Sequence, residues 1–461
     1  MSVTDESKAL FAEAPVARAL RTMIVPTIVS QVIVLIYNMA DTFYVGRTAD
    51  PFMVAGVSLI LPVFNLLICI SNLAGVGGGT LLSRLLGQGR ETEARRVSCF
   101  SFYLCIGCSL GFALGMLYFM DPLLGVLGAG DNTWRYAREY AFCVICLGGV
   151  PTVFSNVAAN LVRSAGMSRQ AGAGITFGGL LNIALDPLFM FVLLPEGYEV
   201  LGVGIATFLS NCVVCVYFLV ILFRVRRDSP LTLDLRAGRP ERESVRAVFA
   251  VGLPAAFTMF LFDLDYMVID RLMAAHSDMA LAAIGIVLKV ERLPLNVGIG
   301  ICQGMIPLVA YNFAAGNYRR MDSATRYSLV LGLVVAAVSV TLYELFAPYI
   351  VRFFMKDGAT AGLAAGYLRA RVAATPLMFL CFFTLHLFDA YGRGGMALLL
   401  GVVRWAGFNI PMLLVLDRWL GERGVIFTQF CADALAAMFS ITVFVIWRKK
   451  QRCTVEMRIG G

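Results

Sequence analysis

Stretches of roughly twenty apolar residues recur along the whole chain, and nothing else in the sequence constrains the fold as strongly. Twelve can be counted, at roughly 22–46, 54–83, 97–120, 136–161, 172–194, 201–223, 247–272, 281–312, 327–351, 368–390, 396–416 and 424–447. A hydrocarbon layer about 30 Å thick is crossed by about 20 residues of helix but by only about 10 of strand. Inside it every backbone polar group must be satisfied within the chain. The expected fold is therefore an all-α polytopic membrane protein with twelve transmembrane helices. Composition agrees: 59% of the 461 residues are hydrophobic and 15% are charged, against about 25% charged in a typical soluble domain.

The chain carries a formal charge of +8, which raises nucleic-acid binding as a reading. The placement of the charges argues for topology instead. If the N-terminus is inside, 25 of the 38 Lys and Arg residues fall in inner segments, including seven arginines between Arg224 and Arg246 and five basic residues between Arg448 and Arg458. Nine fall outside, among them Arg135, Arg138 and Lys356, and Lys289, Arg292, Arg371 and Arg404 fall within spans. The positive-inside rule then puts both termini in the cytoplasm of a cell whose inner membrane holds the protein. The stretch before the first span is polar, without the ordered regions of a signal peptide, so the first span is expected to act as its own insertion signal. Leu10, Phe11, Ala14 and Leu20 are expected to form a short interfacial helix.

The chain also resembles itself. An offset of 229 pairs Gly56 with Gly285, Gly75 with Gly304, Gly87 with Gly316, Arg90 with Arg319 and Asp41 with Asp270. Pro26 faces Pro254 at 228, and Gly166 faces Gly392 at 226. Repeats in register across several helices imply two pseudo-symmetric six-helix lobes, 1–230 and 247–461, joined by a polar, basic linker at 231–246. An even number of spans per half gives parallel repeats, a common transporter plan with the substrate path near the midplane. The function classes that need a P-loop, a G-x-S-x-G elbow or a Ser/His/Asp set find none here, so no enzyme is expected. The C-x-x-C pairs Cys105/Cys108, Cys143/Cys146 and Cys212/Cys215 all lie within spans, where cysteine packs as a small hydrophobe, and no metal site is expected from them.

Charges inside spans are costly and mark function. Asp41 lies in the first span and Asp186 in the fifth, with Asn182 one turn before Asp186. Asn156 and Asn160 in the fourth span have the same spacing, and Thr207 lies in the sixth. These groups can converge on one polar pocket. Two carboxylates there could exchange a proton, or Asp41, Asn182 and Asp186 could bind sodium, a hard cation that prefers oxygen ligands. Either would be a coupling ion rather than a cofactor. The alternatives are a capping role or pairing to an arginine. In the second half, Asp263 and Asp270 share a face of the seventh span and Asp265 points roughly the other way. Lys289, Glu291 and Arg292 follow in the eighth and could neutralise these acids, so Asp263, Asp265, Asp270 and Glu291 are secondary candidates for a transport site or a structural network. Glu344, His386, Asp389 and Asp433 receive no role. Pro26 is a candidate hinge or a static kink.

The stretches "PTIVSQVIVLIYNMADTFYVG", "LLNIALDPLF" and "GICQGMIPLVAYNFAAGNYRRM" resemble the multidrug and toxic compound extrusion (MATE) family along the whole chain. The resemblance implies a secondary active exporter that exchanges small organic, often cationic, compounds for protons or sodium by alternating access. It assigns the cation site to Asp41, Asn182 and Asp186, with Asn156 and Thr207 as looser matches. It places Asp263 near an acid that some members use in the seventh helix, while the acid such members carry in the tenth has no counterpart in "PLMFLCFFTLHLF". The expected partners are small organic substrates and the lipid bilayer, with no nucleic acid, and the protein is expected to work as a monomer. A lipid-linked oligosaccharide flippase of the same superfamily is the alternative within transport; a receptor or enzyme subunit is the alternative outside it.

Overall fold

The computed structural model describes residues 3–48, 50–354 and 357–459. Of the basic residues counted from the sequence, Lys356 and the side chains of Arg452 and Arg458 lie outside the described residues. The secondary structure of the described chain is helical, with no strand among the described residues and a largely non-helical linker at 226–241. Among the described residues, ten continuous helices are long and apolar enough to cross a membrane: α1 Val16–Gly46, α2 Pro51–Gly87, α3 Glu91–Tyr118, α5 Ser168–Leu193, α6 Glu199–Val225, α7 Arg242–His276, α8 Asp278–Ala314, α9 Tyr318–Phe354, α11 Gly394–Leu420 and α12 Glu422–Gln451. Two bent pairs complete the set as α4 (Asp131–Leu147 with Gly149–Ser164, 49°) and α10 (Gly358–Val372 with Thr375–Ala390, 46°).

The internal repeat is visible in this geometry. The bent helices are the fourth of each half. Glycines with positive φ recur at matching helix ends: Gly89 (71°), two residues beyond the Gly87 paired by the 229 offset, matches Gly316 (75°), and Gly166 (86°) matches Gly392 (70°). Glycine enters the left-handed region without the Cβ clash other residues meet, so it ends a helix and turns the chain sharply. The fifth and eleventh helices both carry a π-helical stretch, Phe189–Leu193 and Val403–Asn409.

By contacts the chain divides into two compact units that do not follow the halves. The first comprises Met1–Phe260, Gln303–Thr325 and Asp389–Gly394; the second comprises Leu261–Cys302, Arg326–Phe388 and Gly395–Gly461. Within the first unit, α7 crosses α2 where Gly252 lies against the Leu73 carbonyl and Gly77 against the Val248 carbonyl. The repeat-related crossing puts Gly304 of α8 against the backbone of Ile24 in α1. Neither crossing leaves space for a Cβ, so the helices approach as closely as their backbones allow. The N-terminal segment also differs from expectation. Rather than lying on the membrane interface, Phe11 is fully buried and its ring packs on Tyr311 at 5.3 Å. Its carbonyl accepts from Arg320 Nε (2.6 Å) and Asn312 Nδ2 (3.1 Å). A buried acceptor with two strong donors holds the segment against α8 and α9.

The crossings give a direct expectation. Gly252→Leu should destabilise the protein by about 1–3 kcal/mol through overpacking. Gly107→Leu, on a face of α3 with open space around it, should leave the melting temperature in detergent unchanged.

Candidate cation site

Two glycines on α5 prepare the place where Asp186 sits. Gly172, Gly179 and Asp186 are spaced by seven, two helical turns apart, and so share one stripe. A Cβ on Gly172 would lie 2.7 Å from the Pro26 carbonyl of α1, and one on Gly179 would lie 2.7 Å from Ile33 Cγ2 and 3.1 Å from Tyr37 Cδ1. Because both are glycine, α1 and α5 close on each other along this stripe. The next position on α5 is Asp186, and the matching position on α1 is Asp41. Pro187 has no N–H, so the Ile183 carbonyl loses its helical partner just before the π-helical stretch begins.

Asp186 is fully buried. Its carboxyl faces that of Asp41 within side-chain hydrogen-bonding reach, and among the described residues neither forms an ion pair with a basic side chain. Asn182 Nδ2 bridges Asp186 Oδ1 (3.3 Å) and Thr207 Oγ1 on α6 (3.4 Å). Three oxygens of this cluster, Asp41 Oδ1, Asn182 Oδ1 and Asp186 Oδ2, are buried without a donor among the described residues. Acceptors in excess of donors are what a proton or a hard cation completes. Of the candidates read from the sequence, Asp41, Asn182, Asp186 and Thr207 come together. Asn156 Nδ2 donates to the Thr152 carbonyl of its own helix, and Asn160 donates to the Asn156 carbonyl and accepts from Arg163. Among the described residues neither asparagine hydrogen-bonds to the acidic pair. Asn38 and Thr42 likewise bond to α1's own carbonyls. Tyr140 of α4, buried and close to Asp41, Asp186 and Tyr37, joins the site. One more tyrosine among sixteen, with no acid or amide at helical spacing, gave no signal in the sequence.

The second half solves its buried charges differently. Arg371 of α10 grips Glu291 of α8 with two 2.8 Å bonds and reaches Gln429 of α12 at 3.2 Å. Gln429 Nε2 donates to Asp433 Oδ2 (2.5 Å), whose Oδ1 accepts from Arg404 Nε of α11 at 2.8 Å. The Arg404 guanidinium also stacks over Trp405 (4.2 Å) and Phe382 (4.5 Å). Asp265, 1% exposed, accepts from Asn409 Nδ2 at 2.8 Å beside this network. The buried helix 7 acid is thus Asp265; Asp263 is half-buried and Asp270 is exposed. Lys289 and Arg292 do not form the ion pairs here; Arg292 lies over the Tyr266 ring at 4.9 Å. Arg371, Arg404 and Asp433 do, and Asp433 had no role assigned from sequence.

The duplicated all-helical fold and its intramembrane acids define a class, the two-lobed polytopic transporter. A family model described as MatE matches the chain twice, over residues 26–188 and 254–415, and the chain belongs to that family of MATE transporters. The two matches begin 228 residues apart, at Pro26 and Pro254, as the internal repeat requires. The chain is similar to "Multidrug export protein MepA" of Staphylococcus aureus (strain N315), 27% identical over 454 residues and 98% of each chain. It is similar to the protein of the same name from Staphylococcus haemolyticus (strain JCSC1435), 27% identical over 452 residues, again over 98% of both. Among solved structures, "Crystal structure of MATE in complex with MaL6" superposes with a TM-score of 0.90 at 23% identity, covering 98% of this chain and 99% of that one. An outward-facing MATE multidrug resistance transporter superposes with a TM-score of 0.89 at 24% identity, covering 96% and 97%.

The buried ion pairs carry their own expectation. Removing one partner strands the other charge, so Arg404→Leu or Asp433→Leu alone should each cost about 3–5 kcal/mol. The double variant should recover much of that loss, which thermal melts of the four proteins in one detergent would measure.

Proposed function

We propose that this chain exports organic, mainly cationic, amphipathic compounds in exchange for protons or sodium, with the Asp41–Asp186 pair as the coupling site. The observation that carries the reading is two carboxyls facing each other, neither in an ion pair among the described residues. In a low dielectric they tolerate close approach only with a proton or a metal cation between them. Loading and release of that cation change the force between α1 and α5, which the glycine stripe holds in contact. Asn182 and Thr207 supply further oxygen ligands, and Pro26, on whose carbonyl Gly172 packs, lets α1 bend as the pair closes or opens. Substrates of this class are supported by the relatives, which are named as multidrug export proteins. The bias of Lys and Arg supports an inner-membrane protein with both termini cytoplasmic, working as a monomer. The second half, with its acids held by Arg371 and Arg404, acts as the stiffer partner, and Asp265 is the acid there closest to an ion site.

The test is dye efflux from proteoliposomes under separately imposed proton and sodium gradients. The gradient that drives efflux names the ion. Asp186→Asn and Asp41→Asn should each reduce gradient-driven efflux to the passive leak while the protein inserts and stays monodisperse. Undiminished efflux in either variant would remove the pair from the mechanism.

A further inference from the structure

We propose that a groove at the linker end of α6 is a binding site for an anionic glycerophospholipid. The groove has a volume of about 920 Å³ and lies between the last turns of α6, the start of α3 and the linker residues Thr232–Asp234. One wall is apolar: Val216, Leu219, Val220 and Phe223 lie at helical spacing on α6 and are 58%, 39%, 43% and 64% exposed. On a membrane-spanning helix that stripe faces acyl chains. The other wall is cationic: Arg95, Arg224, Arg226 and Arg227 line the groove, against Asp234 as the one lining carboxylate among the described residues.

The site is built before any ligand arrives. Ser98 of α3 accepts from the Thr232 N–H and donates to the Pro230 carbonyl, both at 3.0 Å, and Tyr103 donates to the Leu233 carbonyl at 3.0 Å. The linker is thereby fixed to α3. Arg95 Nη2 donates to the Arg226 carbonyl at 3.1 Å, which covers the negative end of α6. Arg226 is laid over the Phe223 ring at 4.1 Å. Asp234 Oδ1 accepts from the Arg236 N–H. Asp228, beside Arg227, has a partner of its own. Arg224 and Arg227 form no ion pair among the described residues. Two guanidinium groups without an ion pair among the described residues, at the mouth of a groove continuous with a lipid-facing stripe, match a phosphodiester headgroup with its acyl chains attached. A soluble anion would use the arginines and leave the apolar wall bare. The proposal depends on α6 spanning the membrane and not on the coupling site.

The full chain, purified in neutral detergent, would be titrated with phosphatidylglycerol, phosphatidylcholine or inorganic phosphate. The readouts are the melting temperature and the lipid adducts retained in native mass spectrometry. Phosphatidylglycerol should raise the melting temperature and stay bound, with the other two having little effect. Arg224→Gln/Arg227→Gln should weaken that binding roughly tenfold or more. The charge-conserving Arg224→Lys/Arg227→Lys should keep most of it, and Arg242→Gln/Arg246→Gln, the same charge change outside the groove, should keep all of it. Equal stabilisation by inorganic phosphate, equal binding of phosphatidylcholine, or equal weakening by the two Gln pairs would each overturn the proposal.

Discussion

A carboxylate inside a membrane protein has to find a counter-charge, a proton or water, because the hydrocarbon around it offers none. The rest of this structure is arranged around that requirement, and the two halves meet it in opposite ways. In the second half the acids meet guanidinium groups. Glu291 and Asp433 are neutralised by Arg371 and Arg404, with Gln429 joining the two pairs. Such a cluster is permanently compensated and has little reason to move. In the first half acid meets acid, Asp186 facing Asp41, and we propose that a proton or sodium ion from solution supplies the compensation there. A duplicated fold has thus kept its architecture while its two halves give their buried acids different partners.

Backbone geometry makes the acid–acid meeting possible. The side chains of Asp41 and Asp186 are short, so α1 and α5 must come close for their carboxyls to face each other. Gly172 and Gly179 provide that approach four and two turns before Asp186, by putting no Cβ between the helices. The same device recurs where Gly252 and Gly77 bring α7 onto α2 and where Gly304 brings α8 onto α1. Small residues are therefore the adjustable part of this fold, and the polar groups act at the distances those residues set.

Much of this was legible in the sequence, for identifiable reasons. Spans and the repeat are local or periodic signals, so apolar runs and the 226–229 offset exposed them. Asn182 and Asp186 share a face by spacing alone, and Asp41 stood out as an acid in an apolar run. The second-half network was hidden because its bonds link positions up to 80 residues apart on four helices. Asp433 had no acidic or basic residue at helical spacing and looked isolated. Asp265 was placed on the face opposite Asp263 and Asp270, but an ideal helix gives its direction and not what awaits it there, namely Asn409. Asn156 and Asn160 had the right spacing, but asparagine in a helix readily bonds to the carbonyl four residues back, and both do so. Phe11 read as an interfacial residue because amphipathicity does not distinguish a lipid surface from a protein one.

If Asp41 and Asp186 work as a single site, they should hold one exchangeable proton between them rather than one each. Proton uptake by the purified protein in sodium-free buffer, measured for the wild type, Asp41→Asn, Asp186→Asn and the double variant, tests this directly. The expected result is that each single variant removes the same titration step and the double variant removes no more. Two separate steps, lost one by one and adding up in the double variant, would show that the carboxyls titrate independently and would contradict the account.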